Sequence, residues 1–360
     1  MARIPPLSHS TSQTFSPARA RAIRKALAEW FMREQRDLPW RSERTVYRTV
    51  VSELMLQQTQ VAVIVPAFIR WMEKFPDFAT LAAAPEEEVL KAWEGLGYYR
   101  RARHLHQLAR ALTPLPDPLP EDPAFWRKLP GIGPYTAAAI TSISFGQPEA
   151  CVDGNVIRIL ARLTAEDTVF PSSGAAVKHF TPLAEALLDR KEPGRHNEAM
   201  MELGATVCHR RRPLCLVCPV RPFCHAGQNG QGEAFPRLTR ESTIAQEKTL
   251  ALHVTAEGIL LHKSGSGEGR LAGLYEFPSW PSLAGNRSPS AQDLLDRRVR
   301  AITRYRITES LYRFNGKIPK NDPDLHCVSW DDLPRIAMSG PHRKWFQALQ
   351  EKGVINPPPE

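Results

Sequence analysis

The stretch LPGIGPYTAAAITSISFGQPEACVDGNVIRILARL, residues 129–163, decides how the larger part of this chain folds. Its opening, Leu129-Pro130-Gly131-Ile132-Gly133-Pro134-Tyr135, separates an amphipathic stretch from an Ala-rich helix, and the two glycines permit a tight turn of exposed backbone. Such a turn can aim amide N–H groups at a phosphate without reading a base, although the pattern alone could be any interhelical turn. Twenty residues after Gly133, Asp153 stands at the natural N-cap of a second helix. Val156, Ile159, Leu160 and Leu163 mark one apolar stripe along that helix.

Working outward, apolar residues recur at helical spacing from Pro17 to about Leu112, as at Val50, Val51, Leu54 and Met55. Pro39, Pro66, Pro76 and Pro85 punctuate these segments. The helical pattern resumes at Pro123 and runs to Met201, and nothing in it reads as a sheet. Residues 1–17, rich in Ser, Thr and Pro, read as a disordered tail. Residues 228–247 are polar and Gly-containing, as a linker is. Beyond them, short β-favouring runs such as TLALHVTAEGILLHK and YRITESLYRF alternate with turn residues, which predicts a smaller α+β domain.

At 360 residues the chain exceeds one ordinary hydrophobic core, so two domains are expected. With 42% hydrophobic and 24% charged residues it is neither collagenous, coiled-coil nor wholly disordered. No apolar run suits a membrane span and the N-terminus lacks a secretory core, so a soluble, cytoplasmic protein is expected, nucleoid-associated if bacterial. Lys and Arg number 47 against 38 acids, a net +9 that suits a polyanionic partner.

Four of the six cysteines, Cys208, Cys215, Cys218 and Cys224, fall within one short segment, spaced by six, two and five residues. Thiolates so close in a chain without a secretory signal point to a metal centre. Zinc is one reading, but only Cys215 and Cys218 form a CxxC pair, and the asymmetric loop fits an iron–sulfur cluster better. Arg210, Arg211, Arg212 and Arg221 lie in the same loop with no acid, either to meet phosphates or to offset thiolate charge. Cys151 and Cys327 read as buried small hydrophobes.

Glu53, in VVSELMLQQTQ, has apolar neighbours at helical spacing that would desolvate its carboxyl and raise its pKa. A carboxyl held protonated beside a carboxylate held ionised at a helix N-terminus is the pairing that acid-assisted glycosidic cleavage needs. Spacing alone does not bring Glu53 and Asp153 together.

The turn, the Asp153 motif and the cysteine spacing resemble the iron–sulfur branch of the helix-hairpin-helix DNA glycosylases, which contains endonuclease III and adenine DNA glycosylase. The blocks LPWR (38–41), SELMLQQTQV (52–61), WEGLGYYRRARHLH (93–106), LPGIGPYTAAAI (129–140), VDGNVIRILARL (152–163) and NEAMMELGATVC (197–208) look like the adenine enzymes. This resemblance implies a mostly α glycosylase domain over 18–227, with a cluster loop at 208–224 holding a 4Fe-4S cluster. It implies a Nudix-like lesion-recognition domain of α+β class over 248–350, chiefly through GRLAGLYEFPSW (269–280). That domain lacks the acidic helix of a Nudix hydrolase, so pyrophosphatase activity is not expected.

By the same resemblance the substrate is double-stranded DNA carrying adenine opposite 8-oxoguanine or guanine, handled by a monomer. Glu53 would donate a proton at adenine N7, Asp153 would stabilise the sugar cation, and Tyr135 and Asn155 would support them. Trp40, Arg41, Leu56, Gln58 and Tyr98 would contact the opposing base and opened stack, Glu198 the extruded adenine, and Gly131 and Gly133 the backbone. Lyase relatives carry a lysine where this chain has Tyr135, so a monofunctional enzyme is implied. Many relatives read the lesion with a Phe-Ser-His turn; Ile302, Thr303 and Arg304 align there, with Thr303 able to keep the hydroxyl contact. The rival readings are an endonuclease III-like glycosylase and lyase for oxidised pyrimidines, and a non-catalytic iron–sulfur DNA-binding protein.

Overall fold

The computed structural model describes residues 15–239, 242–265, 271–302, 304–319 and 322–355. Among these residues eight helices precede the two-glycine turn: α1 (Pro17–Glu34), α2 (Pro39–Ser42), α3 (Val46–Leu56), α4 (Val61–Lys74), α5 (Phe78–Ala83), α6 (Glu86–Ala92), α7 (Arg100–Leu112) and α8 (Pro123–Trp126). After it come α9 (Pro134–Phe145), α10 (Gly154–Thr164), β1 (Val169–Phe170), α11 (Ser173–Leu187), α12 (Pro193–Thr206), α13 (His225–Gln228) and β2 (Arg237–Leu238). The rest is β3 (Ile244–Leu252), β4 (Gly258–Lys263), β5 (Tyr275–Glu276), α14 (Trp280–Ala284), β6 (Leu294–Ile302), β7 (Tyr305–Arg313), β8 (Leu325–Ser329) and α15 (Gly340–Glu351). Among the described residues no helix is long and apolar enough to cross a membrane.

The chain divides into two compact units, one of residues 1–54 with 116–240 and one of 55–115 with 241–360. In the first unit helix starts follow local chemistry. Ser16 accepts the Arg19 N–H ahead of Pro17, and Ser172 accepts that of Ala175. Of the segment read as a tail, 1–14 lie outside the described residues, while Phe15 is buried and Ser16 caps α1. The core joins Ile23, Leu27 and Phe31 of α1 to Val156, Ile159, Leu160 and Leu163 of α10, with Phe180 and Leu203 from α11 and α12. Burying each such side chain contributes ~1.5–3 kcal/mol. One departure from an all-helical reading is small: β1 pairs in parallel with β2, Val169 against Arg237.

In the second unit β7 lies between β3, parallel to it, and β6, antiparallel, while β4 lies between β5 and β8. Strand alternation sends Leu250, Leu252, Ile259 and Leu261 into one core with Trp345 and Phe346 of α15. Ala251 and Leu260 face the other way, toward Trp280 and Phe314. The helical segment α4–α7 belongs to this unit, where the Tyr99 hydroxyl donates to the Met338 carbonyl at 3.0 Å and Lys263 meets Glu87 at 2.8 Å.

Two expectations need correction. Pro66 does not end a segment but sits inside α4, near its start, where proline removes a single intrahelical bond while Ile64, Ala67, Phe68 and Trp71 bury the helix face. Cys327 is exposed, because β8 is an edge strand and Val328 takes the core-facing position; Cys151 is buried as expected.

Candidate active site and cysteine loop

The turn 129–133 closes with Ile132 N–H donating to the Leu129 carbonyl at 3.2 Å, and Gly131 takes φ +75°, a conformation that favours glycine. Ile132 is buried and Gly133 exposed, so the turn anchors by its apolar residue and presents its backbone. Gly133 is also the N-cap of α9, which places Tyr135 on the first helical turn.

Asp153 caps α10, its Oδ1 accepting from the backbone N–H groups of Asn155 (2.9 Å) and Val156 (2.8 Å). Its Oδ2 accepts from Asn155 Nδ2 at 2.8 Å. Burial raises the Asp153 pKa, opposed by those three donors and by Arg158. Asn155 is held in turn by Arg158, whose Nη2 donates to its Oδ1 at 2.8 Å and to the Gly204 carbonyl at 2.8 Å. The segment leading into Asp153 is pinned by Asn197, which accepts from Cys151 N–H and donates to Ser142 Oγ and the Glu149 carbonyl.

Glu53 is only 6% exposed. Burial pushes its pKa up to about 7; a hydrogen bond from Tyr135 and the charge of Arg41 oppose this, while Asp153 and Glu198 add to it. The structure thus brings together Glu53, Tyr135, Asp153, Asn155, Arg41 and Glu198. The Tyr135 hydroxyl also lies 2.9 Å from Met201 Sδ. It has one proton to give, and an ionised Glu53 is the stronger acceptor.

Arg41 follows the buried Trp40 in α2, and all three of its nitrogens bond within the protein. Nε donates to Glu198 (3.3 Å), Nη1 to the Arg36 carbonyl (3.1 Å) and Nη2 to Glu202 (3.0 Å). Arg44 reaches Glu198 at 2.7 Å, and Arg36 grips Glu202 with two guanidinium nitrogens at 2.7 and 3.0 Å. Glu202, Arg36 and Arg44 are absent from the sequence reading because these ion pairs span more than 150 residues.

Leu56, Gln58, Tyr98 and Arg304 belong to the second unit. Leu56 is half-buried, whereas Gln58 and Tyr98 are exposed. Thr303 lies outside the described residues. Its neighbours Ile302 and Arg304 stand at the turn between β6 and β7, and the Arg304 guanidinium lies over the Tyr305 ring, 5.5 Å from its centroid.

Cys208, Cys215, Cys218 and Cys224 line one pocket with Arg162, Leu203, Val220 and Gly227. A Cβ on Gly227 would stand 3.3 Å from Cys224 Sγ and 3.9 Å from Cys215 Sγ, so the missing side chain leaves room between two sulfurs. Arg162 Nη1 donates to Cys208 Sγ at 3.1 Å and Gly227 N–H to Cys224 Sγ at 3.3 Å. Burial pushes the Cys218 thiol up to about 12, so its thiolate here needs a cationic partner. Among the described residues no group of His, Cys, Asp or Glu is arranged for a single metal ion. A four-iron core takes one thiolate on each iron, which four cysteines on one pocket can supply. The donor set fits such a core.

The HhH-GPD superfamily base excision DNA repair family matches residues 51–182. An adenine DNA glycosylase of Homo sapiens is 45% identical over 92% of this chain and 75% of its own length. That of Rattus norvegicus is 33% identical over 92% of this chain and 78% of its own. A solved thermostable thymine-DNA glycosylase aligns with TM-score 0.51 at 25% identity, covering 59% of this chain and 98% of its own. An endonuclease III in a non-covalent DNA complex aligns with TM-score 0.51 at 23% identity over 60% and 99%, a likeness of fold.

Proposed function

The chain belongs to the adenine DNA glycosylase family, and from that premise we propose that it hydrolyses the N-glycosidic bond of adenine opposite 8-oxoguanine or guanine in duplex DNA, leaving an abasic site without cutting the strand. The observation that carries this reading is Glu53, a buried carboxyl whose pKa near 7 keeps a proton available at neutral pH beside Asp153 and Tyr135. Glu53 transfers that proton to adenine N7, and the C1′–N9 bond breaks with its electron pair going to the base. The cation left on the sugar is stabilised by Asp153, which Asn155 orients. Water adds at C1′ and gives up its proton to a site carboxylate. Tyrosine at 135 has no amine for a Schiff base, so no lyase step follows.

The adenine must leave the stack to reach this site. Glu198, held by Arg41 and Arg44, receives the extruded base; Trp40, Leu56, Gln58 and Tyr98 support the opened stack and the opposing base. Gly131 and Gly133 present backbone N–H groups to phosphate. Thr303 and Arg304 of the Nudix-like domain read the 8-oxoguanine. Cys208, Cys215, Cys218 and Cys224 hold a 4Fe-4S cluster, which when bound cross-links the loop 208–224 and carries no step of the hydrolysis.

Glu53→Gln and Asp153→Asn test the assignment under single-turnover conditions. Both variants are expected to bind lesion DNA and to lose base release, Glu53→Gln almost completely. Wild-type release by either one would remove that residue from the chemistry.

A further inference from the structure

Among the described residues outside the glycosidic site, three exposed residues with side chains are held in left-handed backbone conformations: Gln58 at φ +57°, Tyr98 at φ +48°, and Arg212 at φ +50° in the cysteine loop, where its N–H donates to Glu233 Oε1 at 2.8 Å. A Cβ makes this region unfavourable, and such residues persist only where their surroundings impose them. Ala165, at φ +53°, is accounted for as the C-cap of α10. Gln58 is the second residue past the end of α3, a place where the left-handed residue is usually glycine, and Tyr98 stands two residues ahead of α7; neither is buried, so core packing does not explain them.

One side chain holds the peptide that enters each of them. Arg101, on α7 and only 6% exposed, donates from Nη1 to the carbonyls of Met55 (2.8 Å) and Gln57 (2.5 Å). From Nη2 it donates to Thr59 Oγ1 (3.0 Å) and the carbonyls of Leu96 (2.9 Å) and Gly97 (3.1 Å). The Gln57 carbonyl belongs to the peptide entering Gln58, and the Gly97 carbonyl to the peptide entering Tyr98. Gln58 and Tyr98 therefore each have the preceding peptide plane held by the same guanidinium. Trp93 Nε1 adds a bond to Gly97 at 3.0 Å, and the guanidinium lies over the Trp93 and Tyr98 rings at 5.3 and 5.5 Å.

We propose that Arg101 is a positioning residue for base extrusion: a buried clamp that locks the loops 56–60 and 95–98 together, so that Gln58 and Tyr98 enter the DNA stack as one preformed unit. This rests on the reading that those two side chains face the opened stack. Lysine cannot substitute, because three donors on one nitrogen cannot span five acceptors in two loops. The clamp itself touches neither base nor sugar.

The test is stopped-flow fluorescence of a duplex with 2-aminopurine beside 8-oxoguanine paired to adenine, using the full-length protein, with base release followed in parallel. Four proteins form a cycle: wild type, Arg101→Lys, Gln58→Ala with Tyr98→Ala, and all three changes. Arg101→Lys is expected to slow unstacking and base release at least about tenfold. In the Gln58→Ala, Tyr98→Ala background the same change is expected to have less than about a twofold effect, because the residues it acts through are gone. A general loss of packing would instead multiply, and equal losses in both backgrounds overturn the proposal. So does wild-type unstacking by Arg101→Lys while Gln58→Ala with Tyr98→Ala is impaired. If that pair alone unstacks and cleaves normally, the DNA-facing role itself is wrong and the clamp falls with it. Should Arg101→Lys not fold, Thr59→Val removes one of the five acceptors, and the same cycle with the same criteria applies.

Discussion

Replacing Glu53 by glutamine is expected to make the protein inactive and more stable above neutral pH. The folded pKa of about 7 stands above the ordinary 4.5 because burial penalises the carboxylate. For a carboxyl raised in this way the sign is the reverse of the usual acid. Below pH 4.5 both folded and unfolded states hold the proton and there is no penalty. As pH rises from 4.5 to 7 the unfolded state ionises while the folded state does not, so stability falls by about 1.4 kcal/mol per pH unit, then levels off. The difference of 2.5 units between those two values corresponds to about 3 kcal/mol at pH 8. Glutamine has no such ionisation. Anaerobic urea unfolding of both proteins, followed by helical circular dichroism, should show Glu53→Gln ahead by about 3 kcal/mol at pH 8 and by under about 1 kcal/mol at pH 5. A stability difference independent of pH would refute the claim that Glu53 is buried as the acid.

The single-turnover rate of base release should be flat below pH 7 and fall about tenfold per unit well above it, since the proton donor is being titrated away. Tyr135→Phe should move that midpoint upward, because the lost hydroxyl favours the ionised carboxylate; a rate profile unchanged in shape would count against the contact. Gly227→Ala puts a methyl 3.3 Å from Cys224 Sγ and should lower bound iron below the about four atoms per chain expected of the wild type, with paler brown absorbance. Full iron content in that variant would mean the pocket is not the cluster's cradle.

Much of the site was legible in the sequence where the signal is local. The Asp153 N-cap follows from one residue type ahead of an apolar-periodic run, and the raised pKa of Glu53 from its apolar neighbours within one helix. Pairings between distant segments were not legible. Arg36 and Glu202 carry no local signal, and only folding joins them across 166 residues. Arg101 was hidden in the basic run RRARHLH, although a signal existed: it falls in line with Leu105, Leu108 and Leu112 at helical spacing, an arginine on a buried stripe. An arginine there needs several acceptors, and the loops 56–60 and 95–98 supply them. The grouping of 55–115 with 241–360 also left no mark in composition, because it depends on contacts such as Tyr99 with Met338 that no local pattern encodes.

The most direct test of the central claim is base release by the purified protein from three duplexes, carrying adenine opposite 8-oxoguanine, adenine opposite guanine, and thymine glycol opposite adenine, each analysed with and without alkali. Free adenine should appear from the first two, with strand breaks only after alkali and no adduct trapped by borohydride. Cleavage of the thymine glycol duplex with alkali-independent breaks and a trapped adduct would contradict it.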